Sequence, residues 1–275
     1  MNNKLIICSG DSFTAGHELA GDMLIPGYNS QFFHNTDPIT PERTALANKL
    51  KEEEKKLIES ADQTGYKQYW EESKRRAWPG KLKQFVKAEI VNCAAGGISN
   101  EEICWRASET YNQYVDLYDP EDILVIIMPT NVFRFGLPRY DKKMGNEYNW
   151  KSWTGHTNLD GDPKTRPIAE YFVGELTEYD HLWRSAMHLA GTQRYIKSMG
   201  SNLIFVDSCL WSITFRDYIK IASTGSNNIR KMVKIHATLV NTQKTSHAMH
   251  HFPEQTHEDF AKHLTETLSN IGFIG

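Results

Sequence analysis

The chain has 275 residues, of which 24% are charged and 40% hydrophobic, with a formal net charge of −3. This length allows one large domain with a sizeable core, and the small negative charge argues against a nucleic-acid partner. The sequence has no apolar run of the roughly 18 residues that a membrane span requires, and its first apolar stretch is too short for a signal peptide. We therefore expect a cytoplasmic protein without a membrane partner, whose scattered cysteines are free thiols.

The first predicted element is a short buried strand over Leu5 to Cys8, which ends at Ser9-Gly10. Gly10 permits the tight path of a strand-to-helix turn, and Ser12 follows just beyond the strand's carboxyl end. Ligands bind at this end of open parallel sheets. A serine there is placed to attack a carbonyl group, with backbone amides nearby to stabilise the oxyanion. A plain turn is the alternative interpretation.

No second strand is predicted over residues 17–78. Residues 21–38 are rich in turn-forming residues and predict an irregular loop. A helix starts at Thr40-Pro41, a second helix is expected over Tyr66 to Arg76, and a third runs from Pro79 to Val86. We interpret the whole region as an insertion over the carboxyl edge of the sheet.

Two further strands are predicted over Ala88 to Cys93 and Asp122 to Met128. The first is followed by Gly97 and by a helix that Ser99 or Asn100 caps and that continues to about Val115. The second stops at Pro129-Thr130-Asn131. Taken alone, Gly97 is also compatible with a helix-entry glycine, and Asn131 with a turn residue.

Residues 134–171 are polar and aromatic without a clear period, which predicts a second inserted loop with a lid or binding role. An amphipathic helix follows over Glu178 to Met199, then a strand over Leu203 to Val206, and a last helix over Gln255 to Ile271. Residues 211–240 are only partly helical in pattern. Strands that alternate with helices predict a parallel α/β sheet with right-handed crossovers.

Four short blocks resemble the sequence blocks of the SGNH (GDSL-type) hydrolases, in that family's order. They are Gly10-Asp11-Ser12-Phe13, Gly97-Ile98-Ser99-Asn100, Pro129-Thr130-Asn131 and His251-Phe252-Pro253. The form with Ser-Phe-Thr after the aspartate is similar to SGNH proteins found in tailed-phage genomes. The resemblance implies a single domain over 1–275, a flavodoxin-like three-layer α/β/α sandwich, with lid-like insertions at about 17–78 and 134–171.

The resemblance also implies the roles of four residues. Ser12 would be the nucleophile and His251 the general base. The Ser12 and Gly97 backbone amides and the Asn131 side-chain amide would form the oxyanion hole. Asp11 is expected to brace its loop and not to act in catalysis.

The chain departs from the family pattern just before His251. The family places an acidic residue two or three positions ahead of the catalytic histidine, where this chain has Ala248 and Met249. A Ser–His dyad oriented by a backbone carbonyl is one solution. A carboxylate from elsewhere is another, with Asp207 and Glu254 as candidates.

A rival hypothesis for the same segment is a metal site, because His247 and His250 have the spacing of metal ligands. No carboxylate or cysteine cluster completes such a set, so we expect no metal and no cofactor. His250 and His257 are interpreted as surface or helix-packing residues.

These observations predict a serine esterase that works through an acyl-enzyme intermediate. Aromatic residues of the second insertion suit stacking on sugar rings, so a carbohydrate O-acyl ester is the preferred substrate and another small-molecule ester is also compatible; these residues are Tyr140, Tyr148, Trp150 and Trp153. Packing of the loop onto the domain is the alternative role for them. Two rivals remain: an O-acyltransferase with the same site, and a non-catalytic binding or structural protein. The sequence does not determine the oligomeric state.

Overall fold

The structure is a computed structural model that describes residues 4–30, 39–131, 134–141, 147–154, 170–171, 176, 178–206 and 251–275. The strands are β1 (Lys4–Gly10), β2 (Ala88–Asn92), β3 (Ile123–Met128), β4 (Arg134–Asp141), β5 (Glu147–Thr154) and β6 (Asn202–Phe205). The helices are α1 (Ser12–Ala15), α2 (Pro41–Glu59), α3 (Thr64–Arg76), α4 (Trp78–Leu82), α5 (Asn100–Tyr114), α6 (Glu178–Ser198) and α7 (Glu254–Asn270). The chain divides into two compact units, one comprising Met1–Asp11 with Cys93–His236 and the other Ser12–Asn92 with Ala237–Gly275.

The first unit is built on parallel strand pairs. β3 pairs in parallel with β1, from Leu5 opposite Ile123 to Gly10 opposite Met128, and also in parallel with β6. Every residue of β3 is buried, which explains why this strand is a continuous apolar run and not an alternating one. Helix α5 packs on β1 and β3, and α6 packs on β6. The predicted α/β class with a parallel sheet is therefore confirmed.

The second predicted insertion contains a β-hairpin that the sequence did not indicate. β4 and β5 pair antiparallel, from Arg134 opposite Thr154 to Asp141 opposite Glu147. Gly136 and Pro138 lie within β4, and both residue types normally argue against a strand. A proline is tolerated here because a two-stranded ribbon has an edge on each strand. The inserted loop expected over 134–171 thus includes two strands that the sequence pattern did not indicate, and its lid or binding role stays a prediction.

The second unit contains the helices of the first predicted insertion. Thr40 caps α2 by accepting a hydrogen bond from the Arg43 amide at 3.2 Å, and Pro41 occupies the first turn, as predicted. Helix α3 begins at Thr64, two residues before the predicted start, and α4 ends at Leu82 instead of reaching Val86. Residues 21–30, predicted as irregular, contain two short 3-10 turns over Gly21–Met23 and Tyr28–Ser30.

Packing in this unit centres on α4, which contacts β2 and α7. The Trp78 ring meets Phe260 edge to face, with centroids 5.2 Å apart, and Trp78 is 1% exposed. The Trp78 amide donates to His257 Nδ1 at 3.2 Å. His257 is therefore a buried helix-packing residue, one of the two roles predicted for it. Within the described ranges, no helix has both the length and the apolar character that crossing a membrane requires.

Candidate active site

Ser12 begins α1, two positions after the last residue of β1. Its carbonyl oxygen accepts hydrogen bonds from the Gly16 and His17 amides, each at 2.9 Å, so the helix closes after a single turn. Ser12 is 4% exposed, and the whole of α1 is buried. This is the strand–turn–helix arrangement that the sequence predicts around a nucleophilic serine.

His251 is held by a buried carboxylate. Its ring nitrogen Nδ1 lies 2.5 Å from Glu18 Oε2, and its backbone amide donates to the same oxygen at 3.3 Å. The other carboxylate oxygen of Glu18 accepts a hydrogen bond from the Tyr28 hydroxyl. Glu18 is fully buried. A carboxylate bonded to Nδ1 fixes the imidazole tautomer and leaves Nε2 as the nitrogen that faces a reacting group.

The aromatic ring of Phe13 supports His251. The two ring centroids are 5.1 Å apart with the planes inclined by 50°, and Phe13 also contacts Phe252 at 5.1 Å. Phe13 is the residue after Ser12, so the structure brings His251 onto the turn that carries the predicted nucleophile. Within the described residues, no hydrogen bond joins the Ser12 hydroxyl to His251.

The sequence analysis did not name Glu18, the carboxylate that contacts His251 Nδ1. Asp207 lies outside the described residues, and Glu254 forms an ion pair with Lys81. The sequence feature that could have indicated Glu18 is its position. It is the one carboxylate between Asp11 and Asp22 in the sequence, and it lies six residues after Ser12. Its backbone φ of 70° is the positive value that non-glycine residues rarely adopt. Such strain is typical of functional sites.

Gly97 and Asn131 belong to the other unit. Gly97 has a φ of 75°, which favours glycine, and a methyl group built on it would meet no atom within 4 Å. Ser99 caps α5 by accepting from the Glu102 amide at 3.4 Å. Gly97 therefore has the open surroundings that an approaching carbonyl oxygen needs.

The blocks that contain Gly97 and Asn131 are tied together by Asn100. Its side-chain nitrogen donates to the Thr130 carbonyl at 3.1 Å, and the Thr130 amide donates to its side-chain oxygen at 2.9 Å. Asn100 is fully buried. This paired contact fixes the backbone just before Asn131.

Asp11 braces the same loop. Its Oδ2 accepts from the Thr130 hydroxyl at 2.6 Å and from Arg134 at 3.0 Å. Asp11 is 2% exposed. Both contacts are structural, as expected for a loop-bracing residue.

The residues of the rival metal hypothesis, His247 and His250, lie outside the described residues. In the ranges that the structure covers, no group of three or more histidine, cysteine, aspartate or glutamate side chains is arranged to hold a metal ion.

Comparison with known proteins gives distant structural neighbours. No family model matches the chain, and no curated protein matches it. A protein described as lipolytic, of the G-D-S-L family, from Desulfitobacterium hafniense DCB-2 aligns over 97% of this chain and 100% of its own, with 12% identity and a TM-score of 0.45.

Two carbohydrate esterases also align. One, described as having an active site with divergent catalytic and non-catalytic binding functions, covers 98% of this chain with 11% identity and a TM-score of 0.45. The acetyl xylan esterase Est2A from the rumen bacterium Butyrivibrio proteoclasticus covers 100%, with 13% identity and a TM-score of 0.46. The chain spans 66% of the length of each of these two proteins.

Proposed function

We propose that this chain is a serine esterase in which Ser12 is the nucleophile, His251 the general base and Glu18 the acid that orients the base. The observation that carries the proposal is the contact between the buried Glu18 carboxylate and His251 Nδ1. A serine, a histidine and a buried carboxylate are the three side chains that nucleophilic ester cleavage needs.

In the proposed reaction, His251 Nε2 takes the proton from the Ser12 hydroxyl as the oxygen attacks the ester carbonyl carbon. Glu18 stabilises the imidazolium that forms. The tetrahedral intermediate collapses to an acyl-enzyme, and the leaving alcohol receives the proton from His251. Water then attacks the acyl group with the same base, which releases the acid and restores Ser12.

The oxyanion of each intermediate is proposed to accept hydrogen bonds from the Ser12 and Gly97 amides and the Asn131 side chain. These donors come from the sequence resemblance. They are neutral, so they bind the developing negative charge without competing for the proton that His251 transfers. Removal of one such donor typically costs about 10²–10³ in rate.

Glu18 also bears on the rival hypothesis of a non-catalytic protein. The main support for that hypothesis was the missing acid before His251. Because Glu18 occupies the corresponding place on the imidazole, the chain has an orienting carboxylate after all. This contact favours the esterase over a non-catalytic binding protein.

We further propose a carbohydrate O-acyl ester as substrate. Four aromatic residues fall within the β4–β5 hairpin, namely Tyr140, Tyr148, Trp150 and Trp153. Aromatic rings of this kind stack on sugar faces. The proposed steps use side chains and water alone and call for no cofactor.

Hydrolysis of p-nitrophenyl acetate by the wild type, Ser12→Ala and His251→Ala tests the proposed function. We expect both substitutions to lower kcat by about 10³-fold or more, since triad members act as a unit. Lys262→Ala is the control, because Lys262 lies on the exposed side of α7 and pairs with Glu258.

Three outcomes separate the hypotheses. Loss of activity in both variants supports the serine mechanism. Full activity in Ser12→Ala excludes Ser12 as the nucleophile. Activity that survives in His251→Ala assigns the base to another residue and contradicts the role of the Glu18 contact.

A further inference from the structure

The series of contacts Tyr28–Glu18–His251 has a counterpart in the same compact unit. The Tyr69 hydroxyl donates to Glu54 Oε1 at 2.6 Å, and this oxygen lies 3.3 Å from His17 Nε2. Tyr69 is 1% exposed, and the side chains of Glu54 and His17 are 14% and 21% exposed. The series Tyr69–Glu54–His17 therefore repeats the residue types of Tyr28–Glu18–His251 in the same order, and it also ends on a histidine.

The histidines of these two series are in direct contact. The His17 and His251 rings are stacked, with centroids 4.9 Å apart and planes inclined by 20°. The Trp70 and His17 rings meet edge to face, with centroids 5.7 Å apart and planes inclined by 63°. His17 is thus fixed by Glu54 and Trp70 and presents its face to the proposed base.

The charge on Glu54 supports this arrangement. Burial is the largest influence on the pKa of Glu54 and acts to raise it, but the hydrogen bond and charge interaction with His17 and the Tyr69 hydroxyl together lower it. Glu54 is consequently ionised at neutral pH, and one of its carboxylate oxygens lies 3.3 Å from His17 Nε2.

A single hydrogen bond does not determine the orientation of an imidazole. The bond from Nδ1 to Glu18 holds one ring atom, and the inclined Phe13 ring covers part of the imidazole, but combined changes of χ1 and χ2 can still tilt the ring plane. A flat ring stacked on the imidazole, as His17 is, limits this remaining tilt. The plane matters because Nε2 must point at the reacting hydroxyl, and small misplacements of a catalytic group reduce rates strongly.

We propose that His17, anchored by Glu54, is a positioning residue that sets the ring plane of His251. This inference rests on the proposed function, since it concerns the same base. In this role His17 touches neither substrate nor reacting atoms, and it acts only through the face of its ring that is stacked on His251.

The test compares His17→Ala with the double variant H17F/E54Q. Alanine removes the stacked ring, so we expect kcat for p-nitrophenyl acetate to fall about tenfold while KM stays within about twofold. Phenylalanine restores the flat face, and glutamine avoids leaving an unpaired buried charge. We therefore expect H17F/E54Q to retain kcat within about threefold of wild type, by the same positioning principle.

His263→Ala is the matched histidine control, because His263 is about half exposed on α7. Its kinetics should equal those of the wild type. Wild-type kcat in His17→Ala would overturn the inference. Equal losses in His17→Ala and H17F/E54Q would also overturn it, because the contact between His17 and Glu54, and not the stacked face, would then matter.

A second readout is independent of turnover. The carbon-bound imidazole proton resonances of His251 in NMR spectra should be sharp in the wild type and in H17F/E54Q and broadened in His17→Ala, because a ring that samples several planes exchanges between environments. A shift without broadening follows from the lost ring current alone, so His251 resonances that stay sharp in His17→Ala would contradict the positioning role, even if the wild type cleaves no ester. Failure of the proposed function appears separately, as a wild type with no Ser12-dependent activity.

Discussion

Glu18 is the residue on which the account of the site depends. Its carboxylate contacts both the ring and the backbone amide of His251, and Tyr28 holds its other oxygen. The left-handed backbone at Glu18 aims a side chain from the turn after Ser12 into a buried position. Because Glu18 contacts His251, the positions two and three residues before His251 need no acid, and they hold Met249 and Ala248.

Glu18→Gln tests this role at the level of a single atom pair. Glutamine keeps the size of the side chain but cannot stabilise the imidazolium or fix the reactive tautomer. Loss of the orienting carboxylate from a catalytic triad can cost about 10⁴ in kcat, so we expect a fall of roughly 10²- to 10⁴-fold in esterase activity.

Tyr28→Phe is the companion variant, because it removes a hydrogen bond to Glu18 and leaves the carboxylate in place. We expect a smaller loss than in Glu18→Gln, with circular dichroism confirming that both variants fold. An equal or greater loss in Tyr28→Phe would mean that the carboxylate itself is not the active feature.

At this scale, the sequence analysis names Ser12 and His251 as site residues and does not name Glu18, whose contact with His251 only the structure reveals. Ser12 and His251 belong to short sequence blocks, and the residues next to them in those blocks carry the resemblance. Glu18 and His251 are 233 positions apart, and no local pattern encodes a contact over that separation. The two acids that the sequence favoured were close to strand or helix ends, and Glu254 is engaged with Lys81 instead.

Among the elements, the turn after α1 is held by close packing against α3. Gly16 has a φ of 81°, and a Cβ atom on it would lie 2.3 Å from the Ser73 carbonyl oxygen and 2.8 Å from Ala77 Cβ. Real Cβ atoms do not approach backbone oxygens so closely. Any side chain at this position must therefore displace α3 or the turn that carries Glu18.

Gly16→Ala should accordingly destabilise the protein by about 2–4 kcal/mol, from backbone strain and overpacking together. Gly272→Ala is the control, since Gly272 has a φ of 75° but open space around its Cβ position. Its cost should be limited to about 1 kcal/mol of strain. Urea unfolding of both variants measures the difference, and equal losses would show that the contact with Ser73 is unimportant.

Element prediction succeeded where the local signals agreed. Thr40 and Pro41 start α2 as expected because capping is a local property. The β4–β5 hairpin was missed because Gly136 and Pro138 act against a strand in any local pattern, whereas pairing of the two segments is decided by contacts between them.

For the whole molecule, alternating strands and helices were enough to predict the parallel pairing of β1, β3 and β6. The division into two compact units was not visible, because the second unit joins residues from both ends of the sequence. Its folding must bring α7 onto α4 across a long stretch of chain.

Acid should destabilise this second unit through Glu72. Hydrogen bonds from Arg75 and then Arg76 lower the pKa of Glu72 from its ordinary value of 4.5 to about 2. Arg76 also donates to the Leu19 carbonyl at 3.0 Å, next to Glu18. Because the folded pKa lies below the unfolded one, the stabilisation is complete above pH 4.5 and is lost as the pH falls towards 2.

Thermal unfolding of Glu72→Gln at pH 7 and near pH 2 checks this dependence. We expect a lower Tm than wild type at pH 7 and a smaller difference in acid. Glu71→Gln, at the exposed neighbouring position, should match wild type at both pH values. A Tm difference for Glu72→Gln that stays constant with pH would contradict the proposed ion-pair contribution.

The most direct test of the central claim is covalent labelling of the wild type with a fluorophosphonate, with the modified residue located by mass spectrometry. Such a probe reacts with a serine hydroxyl that a neighbouring base activates. The account predicts one adduct on Ser12, formed rapidly in the wild type and much more slowly in His251→Ala and Glu18→Gln. An unlabelled Ser12, or equal labelling rates in all three proteins, would contradict an activated Ser12–His251–Glu18 site.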